Sequence, residues 1–301
     1  MRFAPDTAGA DLPEEVGQGV VAILMLAVAY LAAAGPCVGQ TPVCEPDKVA
    51  AKYPSLAGKT IKIGADPTSP PYVTRDPKDF NQLIGFDADM ARAVFDCAGV
   101  KYEFFLGGWS GLLPAVISGQ IDVMWDNLYY TAERAKQVDY VVYMVAATGA
   151  LTPVGNPKKL SGIEDSCGLN AAAGLGTVEE AAFREQDTKC KAEGKPGVNI
   201  MTYPDIAAGA RLVQSGRADL MLTDLALTDS LVKENPTLYS RGYKILSGFS
   251  VGAAIKKGNP DLLKLLADGL KIMQATGRQK DIAEKYAIDP TLQIDAEVKT
   301  S

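Results

Sequence analysis

Residues 116–127, VISGQIDVMWDN, and residues 213–224, VQSGRADLMLTD, repeat one pattern. In each, a helical stretch ends at a glycine suited to the left-handed C′ position, an Asp follows three residues later, and an apolar run then ends in polar residues. A helix–strand unit that occurs twice predicts two α/β lobes. In open α/β sheets ligands bind beyond the carboxyl ends of the strands, so Asp126, Asn127, Thr223 and Asp224 are expected to face a cleft. The alternative is an ordinary αβ repeat with solvated strand ends.

The same rhythm extends outward on both sides. Thr60–Gly64 reads as a strand, Phe86–Cys97 as an amphipathic helix, Tyr102–Leu106 as a strand, Leu112–Ser118 as a helix and Ile121–Trp125 as a buried strand. It resumes with strand Gly168–Ala173, helix Thr177–Lys189, strand Asn199–Tyr203, helix Asp205–Ser215 and strand Leu220–Thr223. Two long, nearly uncharged, β-prone stretches, Val138–Pro153 and Tyr243–Ile255, suggest a double crossover that acts as a hinge. The chain then returns through helices at Pro260–Thr276 and Arg278–Tyr286. The expected organisation is a signal peptide or N-terminal anchor at 1–34, a linker at 35–58, lobe 1 from 59–146 and 250–301, and lobe 2 from 147–249.

Composition narrows the chemistry. With 30 Lys plus Arg against 36 Asp plus Glu, the formal charge of −6 offers no basic stripe for a phosphate backbone, so no nucleic-acid partner is expected. The 301 residues contain no His. That removes Ser-His-Asp and Cys-His catalysis and every His-containing zinc site, and no C-x-x-C occurs, so neither a metal nor a cofactor is expected.

Val20–Ala34 is a continuous apolar run that ends in three alanines before Gly35-Pro36, as a secretory h-region and cleavage site do. At 15 residues it is shorter than the span of about 20 that a bilayer requires. Export makes disulfides the default for Cys37, Cys44, Cys97, Cys167 and Cys190, although spacing alone does not fix their pairing. Cys167 with Cys190, bracketing one strand–helix unit, is the favoured pair; Cys44 with Cys97 is second and leaves Cys37 over. Buried free thiols are the alternative.

Three segments carry candidate binding residues. Thr131 opens a helix with Arg134 in its first turn, where the macrodipole disfavours a cation unless an anion binds beside it. A guanidinium matches a carboxylate in a two-pronged fashion, so carboxylate capture is one reading, and a surface Arg paired with Asp139 or Glu133 is the other. Gly174-Leu175-Gly176-Thr177 follows a strand and opens a helix, with Thr177 as cap and Glu180 able to complete a capping box; the plain reading is a strand-to-helix turn. Asp224 at the end of a buried strand needs a cationic or hydrogen-bonding partner, such as a ligand ammonium, and can also cap the helix beginning at Leu225. Asp66 and Ser69 follow the first strand and Trp109 opens the second helix. Trp125, Tyr129, Tyr130 and Tyr72 are further aromatic faces, each more often core than cleft.

Together, Asp66-Pro-Thr-Ser69-Pro-Pro-Tyr72, Gly85-Phe86-Asp87-Ala-Asp89, Trp109-Ser-Gly-Leu-Leu-Pro114, Thr131-Ala-Glu-Arg134 and the Gly176-Thr177 turn resemble the family 3 extracellular solute-binding proteins, the polar amino-acid receptors of ABC importers. The likeness covers about residues 58–287. It implies a type II periplasmic-binding-protein-like fold of two α/β lobes with two hinge strands, and no catalysis. It further implies a small zwitterionic guest, a membrane permease as partner, a monomer and an extracytoplasmic location. Carried over by position, Arg134 and Thr177, with Gly176, hold a carboxylate, Asp224 holds an ammonium, and Asp66, Ser69 and Trp109 line the side-chain pocket. Relatives usually place small residues where this chain has Asp126 and Asn127, and a Ser or Thr where it has Tyr129, which reshapes and recharges the site. Asp126 and Asp224 in one cleft lean toward a polar or cationic guest. An exported enzyme resembling cyclohexadienyl dehydratase, with Asp126 as general acid, is the alternative.

Overall fold

Two parallel three-stranded layers and two long strands that serve them both build the main sheet. The computed structural model describes residues 42–300; the leader at 1–34 and Cys37 lie outside these residues. The chain enters through helical turns at Pro46–Lys48, α1 (Val49–Lys52) and Pro54–Leu56, with Tyr53 and Leu56 buried and Cys44 bonded to Cys97. The described part of the stretch read as a linker is therefore packed structure, because two apolar side chains and a disulfide hold it down.

The first half comprises β1 (Thr60–Ala65), a small sheet of β2 (Thr68–Ser69), β3 (Val73–Arg75) and β4 (Leu83–Ile84), α2 (Phe86–Ala98), β5 (Lys101–Leu106), α3 (Trp109–Ser118), β6 (Val123–Tyr129) and α4 (Ala132–Ala135). Then β7 (Val138–Pro153) leads into the second half: β8 (Asn170–Gly174), α5 (Val178–Ala192), β9 (Asn199–Tyr203), α6 (Ile206–Gln214), β10 (Leu220–Asp224) and α7 (Leu225–Glu234). The return strand β11 (Tyr239–Lys256) is followed by α8 (Pro260–Ala275), α9 (Arg278–Lys285) and β12 (Gln293–Lys299).

Among the described residues the main sheet has nine strands in the order β5-β1-β6-β11-β7-β10-β8-β9, with β12 on β7. Within the first half β5, β1 and β6 are parallel; within the second β9, β8 and β10 are parallel. Each trio is completed by an antiparallel strand arriving from the other side, β11 on β6 and β7 on β10. The two long strands pair with each other from Tyr239↔Pro153 to Lys256↔Val138, with a break in register between Ile245↔Thr148 and Phe249↔Ala146.

The repeated sequence pattern has a structural counterpart in each half. α3 ends at Gly119 with φ 81°, and α6 is followed by Gly216 with φ 70°. Next, Asp122 Oδ2 accepts from the Lys62 N–H at 2.8 Å and Asp219 Oδ2 from the Asn170 N–H at 2.9 Å, so each Asp ties the incoming strand to the start of its neighbour. β6 and β10 are buried at every residue, as apolar runs covered on both faces require. α2 buries Met90, Ala91, Val94 and Phe95 toward α8, which it meets at Gly269; a Cβ there would lie 2.5 Å from Val94 Cγ1. Burial of each such large side chain contributes about 1.5–3 kcal/mol. Cys167–Cys190 bonds the start of β8 to the end of α5.

Candidate functional site

The carboxyl ends of β6 and β10 meet across a cavity of about 560 Å³, part of it open to solvent. From the first half Ser69, Trp109, Asp126, Asn127, Tyr129 and Arg134 line it; from the second come Thr177, Glu179, Tyr203, Asp205, Thr223 and Asp224. Asp66 and Gly176 do not line it.

Asp66 is instead a bracket beneath the site. Its Oδ1 accepts from Thr68 N and Oγ1, and its Oδ2 accepts from the Trp109 N–H at 3.0 Å, fixing the start of α3. Its own N–H donates to Asp126 Oδ2 at 2.5 Å. Burial pushes the Asp66 carboxyl up from the usual range and that of Asp126 well above it, the nearby Asp66 charge adding to the effect on Asp126. Trp109 Nε1 donates to the Asp126 carbonyl oxygen, which seats the indole on the wall. Asn127 has φ 44°, a left-handed conformation that Asn tolerates better than most residues, and its N–H donates to Asp87 Oδ2 at 2.6 Å. Asp87 is fully buried, accepts also from Tyr143 at 2.6 Å, and is pushed up to about 7 chiefly by burial.

Arg134 follows its N-cap Thr131, whose Oγ1 accepts the Arg134 N–H. Asp139 and Glu133, the alternative partners, are engaged by Lys257 and Lys136. The guanidinium lies 5.4 Å from the Trp109 ring and donates to two carbonyl oxygens, Tyr129 at 2.7 Å and, across the cavity, Gly176 at 2.8 Å. Burial lowers its pKa, but a guanidinium remains charged at neutral pH. Gly176 is used up structurally: its N–H donates to Glu180 Oε2 while Thr177 Oγ1 caps the Glu180 N–H. The turn therefore has the Thr177 half of a capping box, while Glu180 reaches back one residue further to the Gly176 N–H instead of the Thr177 N–H, and it also receives Arg134.

Asp224 caps α7 through the N–H groups of Ala226 and Leu227. It also accepts from two hydroxyls of the opposite half, Tyr72 at 3.0 Å and Tyr129 at 2.7 Å. Its carboxyl is raised by burial, the two tyrosines opposing that shift. The aromatic candidates therefore divide. Trp109 and Tyr129 line the cavity, Tyr72 reaches Asp224 from the core, and Trp125 is buried with its Nε1 on the Tyr143 hydroxyl.

Sequence reasoning missed Glu179, Tyr203 and Asp205 on the wall and Asp87 beneath it. Glu179 lies between the Thr177 cap and Glu180, and Asp87 within the Gly85-Phe86-Asp87 motif, but the alternation that marks a core says nothing of buried acids. Three oxygens in the wall, Ser69 Oγ, Asp126 Oδ1 and Asn127 Oδ1, are buried without a protein partner. Among the described residues no group of acids or cysteines is arranged to hold a metal ion, and no helix is long and apolar enough to cross a membrane.

Residues 61–289 match the family model described as bacterial extracellular solute-binding proteins, family 3. The L-cystine-binding protein of Escherichia coli K12 is 31% identical over 229 residues, covering 75% of this chain and 82% of that protein. An ancestral arginine-binding protein solved with arginine bound superposes with a TM-score of 0.69 at 31% identity, over 75% of this chain and 97% of the other. An ancestral amino acid-binding protein that is a precursor of cyclohexadienyl dehydratase superposes at 0.65 with 30% identity, over 80% of this chain and 98% of its own.

Proposed function

The chain belongs to the bacterial extracellular solute-binding proteins of family 3, and from that membership we propose that it is the capture component of an ABC importer, working outside the cytoplasm and holding a polar or cationic amino acid between two lobes. The observation that carries this reading is that Arg134 from one half and Asp224 from the other line the same cavity. Arg134 takes the α-carboxylate with help from Thr177, Asp224 and the Tyr129 hydroxyl take the α-ammonium, and Trp109 covers the side chain. Lobe 1 is 59–146 with 250–301 and lobe 2 is 147–249. The break in register between Ile245 and Phe249 supports a hinge at that boundary.

A guest touching both walls stabilises the closed form, which a permease recognises, and the protein acts as a monomer with no reaction of its own. Calorimetry against the amino acids tests this. Arg134→Ala is expected to weaken binding by about 2 kcal/mol or more, since a buried carboxylate loses its charged partner; unchanged affinity overturns the assignment. Asp126, whose Oδ1 has no protein partner and whose carboxyl burial pushes well above the usual range, favours one second reading, a dehydratase with Asp126 as general acid, and conversion of prephenate or arogenate followed by ultraviolet absorbance would support it.

A further inference from the structure

Four acids and a single cation line the cavity among the described residues: Asp126, Glu179, Asp205 and Asp224 against Arg134. Three of these acids have protein donors that account for them. Asp224 accepts from two tyrosines and two helix N–H groups, Glu179 Oε1 accepts from Thr148 Oγ1 at 3.1 Å, and Asp205 accepts from the Ala208 N–H at 2.8 Å as cap of α6. Asp126 differs. The Asp66 N–H holds its Oδ2, while its Oδ1 has no protein partner although the residue is 0% exposed. Ser69 Oγ and Asn127 Oδ1, at 2% and 6% exposure, share that condition on the same wall.

We propose that Ser69, Asp126 and Asn127 form a second polar subsite that receives a cationic N–H group, ammonium or guanidinium, from the guest's side chain, so that the protein selects basic amino acids. The proposal rests on the zwitterion reading for the α-carboxylate and α-ammonium and adds the identity of the side chain. Buried oxygens without donors cost free energy, and a group rich in N–H offsets that cost for all three at once. An acidic side chain would meet Asp126, whose Oδ2 is held by the Asp66 N–H, with Asp87 behind it on the Asn127 N–H. An apolar side chain would cover the three oxygens without satisfying them. A neutral amide can donate but brings no positive charge to favour the ionised form of Asp126.

The test is calorimetry of the full chain with L-arginine, L-lysine, L-citrulline, L-glutamine, L-glutamate, L-leucine and the diamine cadaverine. Arginine or lysine is expected to bind about ten-fold or more tighter than citrulline and glutamine, since a charge-assisted contact replaces a neutral one. Asp126→Asn is expected to shrink that gap to within about three-fold. Glutamate or leucine binding as tightly as the basic amino acids overturns the subsite, and so does a preference for arginine or lysine that survives Asp126→Asn. Should Asp126→Asn fail to fold in a circular-dichroism melt, Asn127→Gly removes one acceptor while suiting the left-handed backbone, and the comparison of arginine with citrulline in the unaltered protein still decides. If cadaverine binds like lysine and Arg134→Ala changes neither, the subsite stands and the carboxylate clamp falls. If none of the seven compounds binds, both are overturned.

Discussion

Asp87 carries a fully buried carboxyl that accepts from the Tyr143 hydroxyl and the Asn127 N–H. Its proton is retained up to about pH 7 in the folded protein, whereas an unfolded Asp loses it near 3.8. Between those values the folded chain binds more protons than the unfolded one. This group therefore stabilises the fold fully below the lower value, and its contribution, up to about 4 kcal/mol, is lost as pH rises through the upper one. Asp66, Asp126, Asp224 and Glu179 are raised by burial and act in the same sense. Because the chain has no His, no imidazole titrates across the slope. The thermal midpoint is expected to rise on acidification from about pH 8 to about pH 5, with a flatter slope in Asp87→Asn; a midpoint that is constant or falls contradicts the assignment. This behaviour was hidden in the sequence, where Asp87 looks like one more acid in the first turn of a helix.

At the level of elements, the paired glycines offer a symmetrical check. Gly119 and Gly216 both hold left-handed backbone after the equivalent helices, so Gly119→Ala and Gly216→Ala are each expected to cost about 1–2 kcal/mol in urea unfolding. A loss at one site only would argue against equivalent roles. The elements legible in the sequence are those with strong periodicity and clear punctuation: β7 and β9 span the residues their patterns mark, and Thr177, Asp205 and Asp224 cap the helices they precede. β6 was less legible. Its pattern suggested 121–125, yet it runs Val123–Tyr129, because the polar Asp126 and Asn127 look like a strand end while the fold buries them. The two- and three-residue strands β2, β3 and β4 are too short for an alternation to register. β12 pairs with β7, and although Ile294, Ala296 and Val298 alternate with polar residues, only Ala296 is buried, so the alternation is a weak signal. For the site, residue types at strand ends pointed to residues that line one cavity, but which acids face that cavity and which brace it depends on donors from distant segments, such as the Trp109 N–H on Asp66.

Across the whole molecule, the two halves touch directly through Tyr72 and Tyr129 on Asp224 and through Arg134 on Gly176. These bonds favour closure before any guest adds its own contacts. Tyr72→Phe combined with Tyr129→Phe is expected to enlarge the radius of gyration in small-angle scattering without added amino acid; an unchanged radius denies the tyrosines that role. The exchange of strands has a further consequence for how the chain is made. β6, covered along all seven residues in the finished molecule, receives its partner β11 only after more than a hundred further residues have been synthesised. Until then the N-terminal portion presents a bare, apolar, hydrogen-bond-hungry margin of the kind that templates aggregation. The nascent polypeptide therefore depends on staying unfolded or shielded until Val251–Ile255 arrives, and a truncation before that point is expected to yield insoluble material rather than a working half.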